Sequence, residues 1–113
     1  MNNPNVDEFL SSLKTFLKNY LTQYKIDFLI KTPKSLKANI HLNEKFFIAV
    51  RYNARNGRMD FSLIQDNKRI FGYDNLKEWH YHPYKNPSEH ISCDKPSTDK
   101  ILYEIKKVFE AAK

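Results

Sequence analysis

Residues 35 to 73 read SLKANIHLNEKFFIAVRYNARNGRMDFSLIQDNKRIFGY, and the placement of their apolar residues decides the fold. Leu36, Ala38, Ile40 and Leu42 alternate with Lys37, Asn39 and His41. Phe46, Ile48, Val50 and Tyr52 alternate with Phe47, Ala49 and Arg51, and Met59, Phe61 and Leu63 with Arg58, Asp60 and Ser62. A period of two sends one set to one face of an extended chain and the other set to the opposite face, as in strands covered on one side only. The breaks are short: Asn56-Gly57 tolerates positive φ, and Asp66-Asn67 makes the next turn before Arg69 to Tyr73. Strands joined by such turns lie antiparallel, which predicts a meander.

Upstream, Ile26, Phe28 and Ile30 alternate with Asp27, Leu29 and Lys31 until Pro33, adding a strand for a total of about five. Val6, Phe9, Leu10, Leu13, Phe16, Leu17, Tyr20, Leu21 and Tyr24 follow helical spacing, with Asn3 and Pro4 as the expected N-cap and first helical residue. Asp7 and Glu8 suit the positive end of that helix dipole. A second helix is expected from Thr98 to Ala112, capped by Ser97, with Ile101, Leu102, Ile105, Val108 and Phe109 on one stripe. Both stripes need a surface, and the apolar side of the sheet offers it. The expectation is a single α+β domain over residues 1 to 113, two layers deep, with both terminal helices on one face of the sheet.

The chain has 113 residues, of which 41% are hydrophobic, enough for one core without disulfides. One cysteine, Cys93, forms no internal bridge, and no basic-then-apolar leader is visible, so a reducing cytoplasm is the expected location. The longest apolar run, FFIAV, is far short of a membrane span, and mean hydropathy is −0.70. No membrane partner is expected.

Net charge is +6, and residues 25 to 58 carry that excess by themselves, with eight Lys and Arg against Asp27 and Glu44. Basic surface attracts polyanions because each neutralised phosphate releases condensed counterions. The polar face of the sheet would present Lys37, Asn39, His41, Phe47, Arg51, Arg58 and Ser62. With Arg55, Arg69 and Trp79 these residues (Lys37, His41, Phe47, Arg51, Arg55, Arg58, Arg69, Trp79) form the candidate RNA-binding set, supplying charge and stacking. A solvated, solubilising face has the same composition.

Residues 74 to 96, DNLKEWHYHPYKNPSEHISCDKP, show no sustained period and read as a long loop stiffened by Pro83, Pro87 and Pro96. Trp79 to His82 in extended form would turn His80 and His82 to one side and Trp79 and Tyr81 to the other. Two imidazoles facing one space can divide phosphodiester cleavage, one taking the ribose 2′-OH proton and the other protonating the leaving oxygen. That chemistry calls for no cofactor. Lys85, Arg51 and Arg69 are candidates to stabilise the reacting phosphate, His90 joins the catalytic set, and Asp74 is suited to orient a histidine. His41 is a further histidine within conceivable reach. Two other readings stay open. His80, His82, His90 and Cys93 spell H-x-H-x7-H-x2-C, a donor set that tetrahedral zinc accepts. Alternatively, the histidines end a surface strand and pack on Trp79 and Tyr84, leaving a rigid recognition arm on a non-catalytic binding module.

The stretch RIFGYDNLKEWHYHP, Arg69 to Pro83, followed by His90, Pro96 and a terminal helix, resembles the TumE family of small prokaryotic toxins. The Asp74-Asn75 turn and the His80, His82 and His90 segment carry the resemblance. It implies a ribonuclease-like toxin of a toxin-antitoxin pair, neutralised by a helix-turn-helix antitoxin encoded beside it. The oligomeric state is left open, a dimer included.

Overall fold

The computed structural model describes residues 3–113. Its elements in chain order are α1 (Val6–Tyr20), β1 (Lys25–Lys31), β2 (Ser35–His41), β3 (Phe46–Asn53), β4 (Arg58–Gln65), β5 (Lys68–Asp74), β6 (His80–His82), β7 (Ile91–Ser92) and α2 (Thr98–Ala112). The strands form one antiparallel sheet in the order β1-β2-β3-β4-β5-β6-β7, an open meander with α1 and α2 on one side. The fold class expected from the sequence holds, but the strand count is seven, not about five. The additional strands are three and two residues long, too short to show a period.

Two boundaries also differ. Asn5, not Asn3, caps α1: its side chain accepts from the Glu8 N–H at 2.9 Å while Glu8 Oε1 accepts from the Asn5 N–H at 3.1 Å. This reciprocal capping box satisfies two donors that a helix start leaves free. The helix stops at Tyr20, although Leu21 and Tyr24 keep the helical spacing: Leu21 turns extended (φ −126°, ψ 132°), and both residues pack on the core from the connection. In β1 a bulge at Leu29 shifts the register, so that Phe28 pairs with Ala38 but Ile30 pairs with Lys37. Phe28, Leu29 and Ile30 are all exposed on this edge strand, and the alternation read there buries little.

Leu36, Ala38, Ile40, Phe46, Ile48, Val50, Tyr52, Phe61, Leu63, Phe71 and Tyr73 form the covered face of the sheet. Leu13 and Leu17 of α1 and Ile101 and Ile105 of α2 complete the core. Polar contacts set the helices against their neighbours. Tyr20 Oη donates to Asp99 Oδ1 at 2.7 Å, tying α1 to α2, and Tyr73 Oη donates to Glu104, tying α2 to β5.

Among the described residues no helix covers the opposite face. Its register aligns Lys37, Arg51, Asp60, Asp74, His80 and Ser92 as successive cross-strand partners from β2 to β7. The neighbouring row holds Asn39, Ala49, Ser62, Gly72 and His82. Among the described residues no helix is long and apolar enough to cross a membrane.

Gly72 is where this arrangement is tightest. A Cβ there would stand 2.7 Å from the Phe61 carbonyl oxygen and 3.3 Å from Ser62 Oγ. Backbone cannot swing aside as a side chain can, so Gly72→Ala is expected to destabilise by about 1–3 kcal/mol, the range for overpacking. Urea unfolding of the purified variant measures it; an unchanged midpoint would contradict the close approach.

Candidate functional site

The site lies where β5 hands over to β6. Asn75 fixes the handover: its Nδ2 donates to the Gly57 carbonyl at 3.0 Å and its Oδ1 accepts from the Met59 N–H at 2.8 Å. Asp74 Oδ1 accepts from the Leu76 N–H at 3.0 Å, closing the turn that returns the chain as β6. The β5–β6 register then sets His80 opposite Asp74 and His82 opposite Gly72. His80 and His82 face the uncovered side together, as the sequence spacing predicts.

Asp74 Oδ2 lies 3.2 Å from His80 Nε2 and 3.1 Å from His82 Nε2. The other ring nitrogens face backbone carbonyls, His80 Nδ1 to Glu78 at 3.1 Å and His82 Nδ1 to Pro87 at 3.1 Å. The segment after Pro83 folds back over β6, leaving His82 only 1% exposed and bringing His90 beside it. The His82 and His90 ring centroids are 4.5 Å apart, and the His80 and His90 rings stack at 4.9 Å. His80 is mostly covered and His90 is exposed. Both line a cleft of about 460 Å³ with Leu76, Lys77, Glu78 and Ser92.

Three histidines and Asp74 are therefore brought together; the other candidates are dispersed. Arg51 stands three strand positions from His80, roughly 14 Å along the row at the usual strand spacing. It lines a separate depression of about 280 Å³ with Lys37, Arg69, Asp60 and Ser62. Lys85 extends its ammonium 5.8 Å from the Tyr84 ring centre. His41 lies on β2, 5.6 Å from the Phe47 ring and 4.0 Å from Asp27, remote from the other histidines. Arg55 is exposed in the β3–β4 turn, and the Arg58 side chain is half-buried, with Nε lacking a partner. Trp79 and Cys93 flank the alternation on the other parity from His80 and Ser92, and both pack against the core. This takes Trp79 of the candidate RNA-binding set off the polar face and leaves Cys93 outside the histidine cluster. Burial pushes the Cys93 thiol up. The histidine rings pack on one another, not on Trp79 and Tyr84.

Sequence reasoning passed over Lys77 and Asp60. Lys77 lines the histidine cleft with φ of 70°, a turn geometry its residue type does not announce. Asp60 is the cross-strand neighbour of Asp74, visible only once the register is known. Comparison of the chain with protein-family models, curated proteins and solved structures finds no match.

The two carboxylates respond oppositely to this setting. Burial pushes Asp60 up and the adjacent Asp74 adds to it, against the Ser62 hydroxyl and the charges of Arg69 and Arg51. Burial also opposes ionisation of Asp74, but the Leu76 N–H, the His82 hydrogen bond and the charges of His80 and His82 outweigh it and hold the carboxyl below its ordinary value. A carboxyl raised in the folded state costs stability as pH rises from its unfolded value through the folded one. Asp60→Asn is therefore expected to raise the urea midpoint at pH 7 and to leave it unchanged below about pH 3, where the group is protonated in both states. A variant less stable than wild type at pH 7 would show that Asp60 gains more from its cations than burial takes away.

Proposed function

We propose that the protein cleaves RNA at the cleft between His80 and His90, acting as the toxin of a toxin-antitoxin pair. One observation carries the reading: a cluster of three imidazoles opens onto the same sheet face as a depression lined by Lys37, Arg51 and Arg69. RNA backbone engages the cationic depression, where each neutralised phosphate contributes through counterion release. The susceptible phosphodiester enters the cleft. His80 and His90 are the rings it can reach; one takes the 2′-OH proton and the other delivers a proton to the leaving 5′-oxygen. His82, beneath them, acts as a positioning residue with Asp74. Lys77, at the cleft, supplies the positive charge for the reacting phosphate in place of Lys85, and Arg51 grips a neighbouring nucleotide. The likeness of Arg69 to Pro83 to the TumE family supports the toxin role, with a helix-turn-helix antitoxin as partner.

The reaction requires ribose, because the nucleophile is the 2′-oxygen. In chelator, wild-type protein should cut RNA to 2′,3′-cyclic phosphate ends and leave a 2′-deoxy substrate intact. His80→Ala and His90→Ala should each slow cutting by about 10²-fold or more. Lys37→Ala with Arg51→Ala should weaken binding and flatten its salt dependence. No product between pH 5 and 8, or equal rates for wild type and both histidine variants, overturns the chemistry. Salt-sensitive binding without product would instead assign the face to a non-catalytic RNA-binding module.

A further inference from the structure

The geometry points to a transition-metal site of zinc type in which His80, His82 and His90 each supply one ring nitrogen, with the Asp74 carboxylate beside two of them. One ring nitrogen from each of the three histidines lies within 4.8 Å of the other two. The backbone selects which nitrogens are free. Glu78 and Pro87 carbonyls, each 3.1 Å from an Nδ1, can only accept, so a neutral ring that donates its one N–H there turns its Nε2 lone pair inward. Metal-bound histidines are held in this manner, with the outer nitrogen donating to a carbonyl or carboxylate.

Both Nε2 lone pairs then meet Asp74 Oδ2, at 3.2 and 3.1 Å, an oxygen that also only accepts. A cation among these atoms resolves the conflict. Zinc bonds of 2.0–2.2 Å place neighbouring ligands of a tetrahedron about 3.3–3.6 Å apart, close to these separations. His90, on the exposed side, completes the set, and the cleft past Lys77 and Ser92 is the entry path. Imidazole donors favour zinc and its transition-metal neighbours over calcium or magnesium, which prefer oxygen throughout. The site differs from the H-x-H-x7-H-x2-C set in leaving out Cys93, which packs against the core.

Additional protons on the rings would also answer the lone-pair conflict, and metal titration separates the two. The full chain, stripped with chelator, is titrated with Co²⁺ and then Zn²⁺, following the visible Co²⁺ bands and the bound stoichiometry. One equivalent, with tetrahedral bands lost on adding Zn²⁺, is expected. His80→Ala and His90→Ala should each weaken binding by about tenfold or more, and His41→Ala should leave it unchanged. Absence of saturable binding at stoichiometric metal, or binding that both cluster variants retain, overturns the site. A nitrogen bonded to metal cannot exchange a proton, so the loaded protein is expected to cut RNA more slowly; this consequence alone rests on the proposed nuclease activity. Binding intact with no cleavage in chelator overturns the nuclease and leaves the metal site standing; cleavage intact with no binding does the reverse.

Discussion

Strand side chains alternate between two faces, and in this protein helices cover only one of them. From β2 to β6 that alternation sorts the side chains, reset once by the β4–β5 register shift at Ile70 that sends Arg69 and Phe71 to opposite faces. One parity carries Ile40, Ile48, Leu63 and Phe71 into the core, where burial of apolar surface drives folding. The other carries Lys37, Arg51, Asp60, Asp74 and His80 into a single row that no element covers except near β6. A slip of one residue in any strand would exchange the two sets, burying charge and exposing the core. The register that holds the core together is thus the same register that assembles the site.

The central strands were legible because each runs seven or eight residues and has one buried face, so the period of two repeats several times. The second helix was legible from Ser97 and its stripe. Features that depend on distant contacts were not. Asn5 outcompetes Asn3 as a cap because Glu8 stands three residues beyond it and closes the box, a relation not weighed from the spacing of apolar residues. The Leu29 bulge changes which side chains of β1 face the core, and β6 and β7 exist only through pairing with β5 and with each other. In the site, the common orientation of His80 and His82 followed from alternation. The approach of His90 did not, because the Pro83 to His90 fold-back is set by a carbonyl of Pro87 reaching the buried His82 ring.

That fold-back gives His82 an unusual setting. A histidine 1% exposed and an aspartate 6% exposed share a hydrogen bond on the face that water would otherwise reach. Polar groups removed from water cost stability unless they find partners, and here Asp74 Oδ1 has the Leu76 N–H and His82 Nδ1 faces the Pro87 carbonyl. These contacts anchor the loop, so the rings above it are held by packing on several sides. His80 and His90 gain definite orientation from a network that does not itself meet solvent.

The charges along the row divide the face into two parts. Lys37 and Arg51 occupy one end of the row and His80 the other, with Asp60 and Asp74 between. The two carboxylates are carried on short side chains and lie low on the sheet, Asp74 nearly covered, whereas lysine and arginine extend well above it. Charge near the surface dominates what an approaching chain feels, because the field of the lower groups is compensated by their own bonded partners. A polyanion passing over the row therefore meets the cations first, and depth on one sheet face, as much as the sign of the charge, decides which groups an approaching ligand feels.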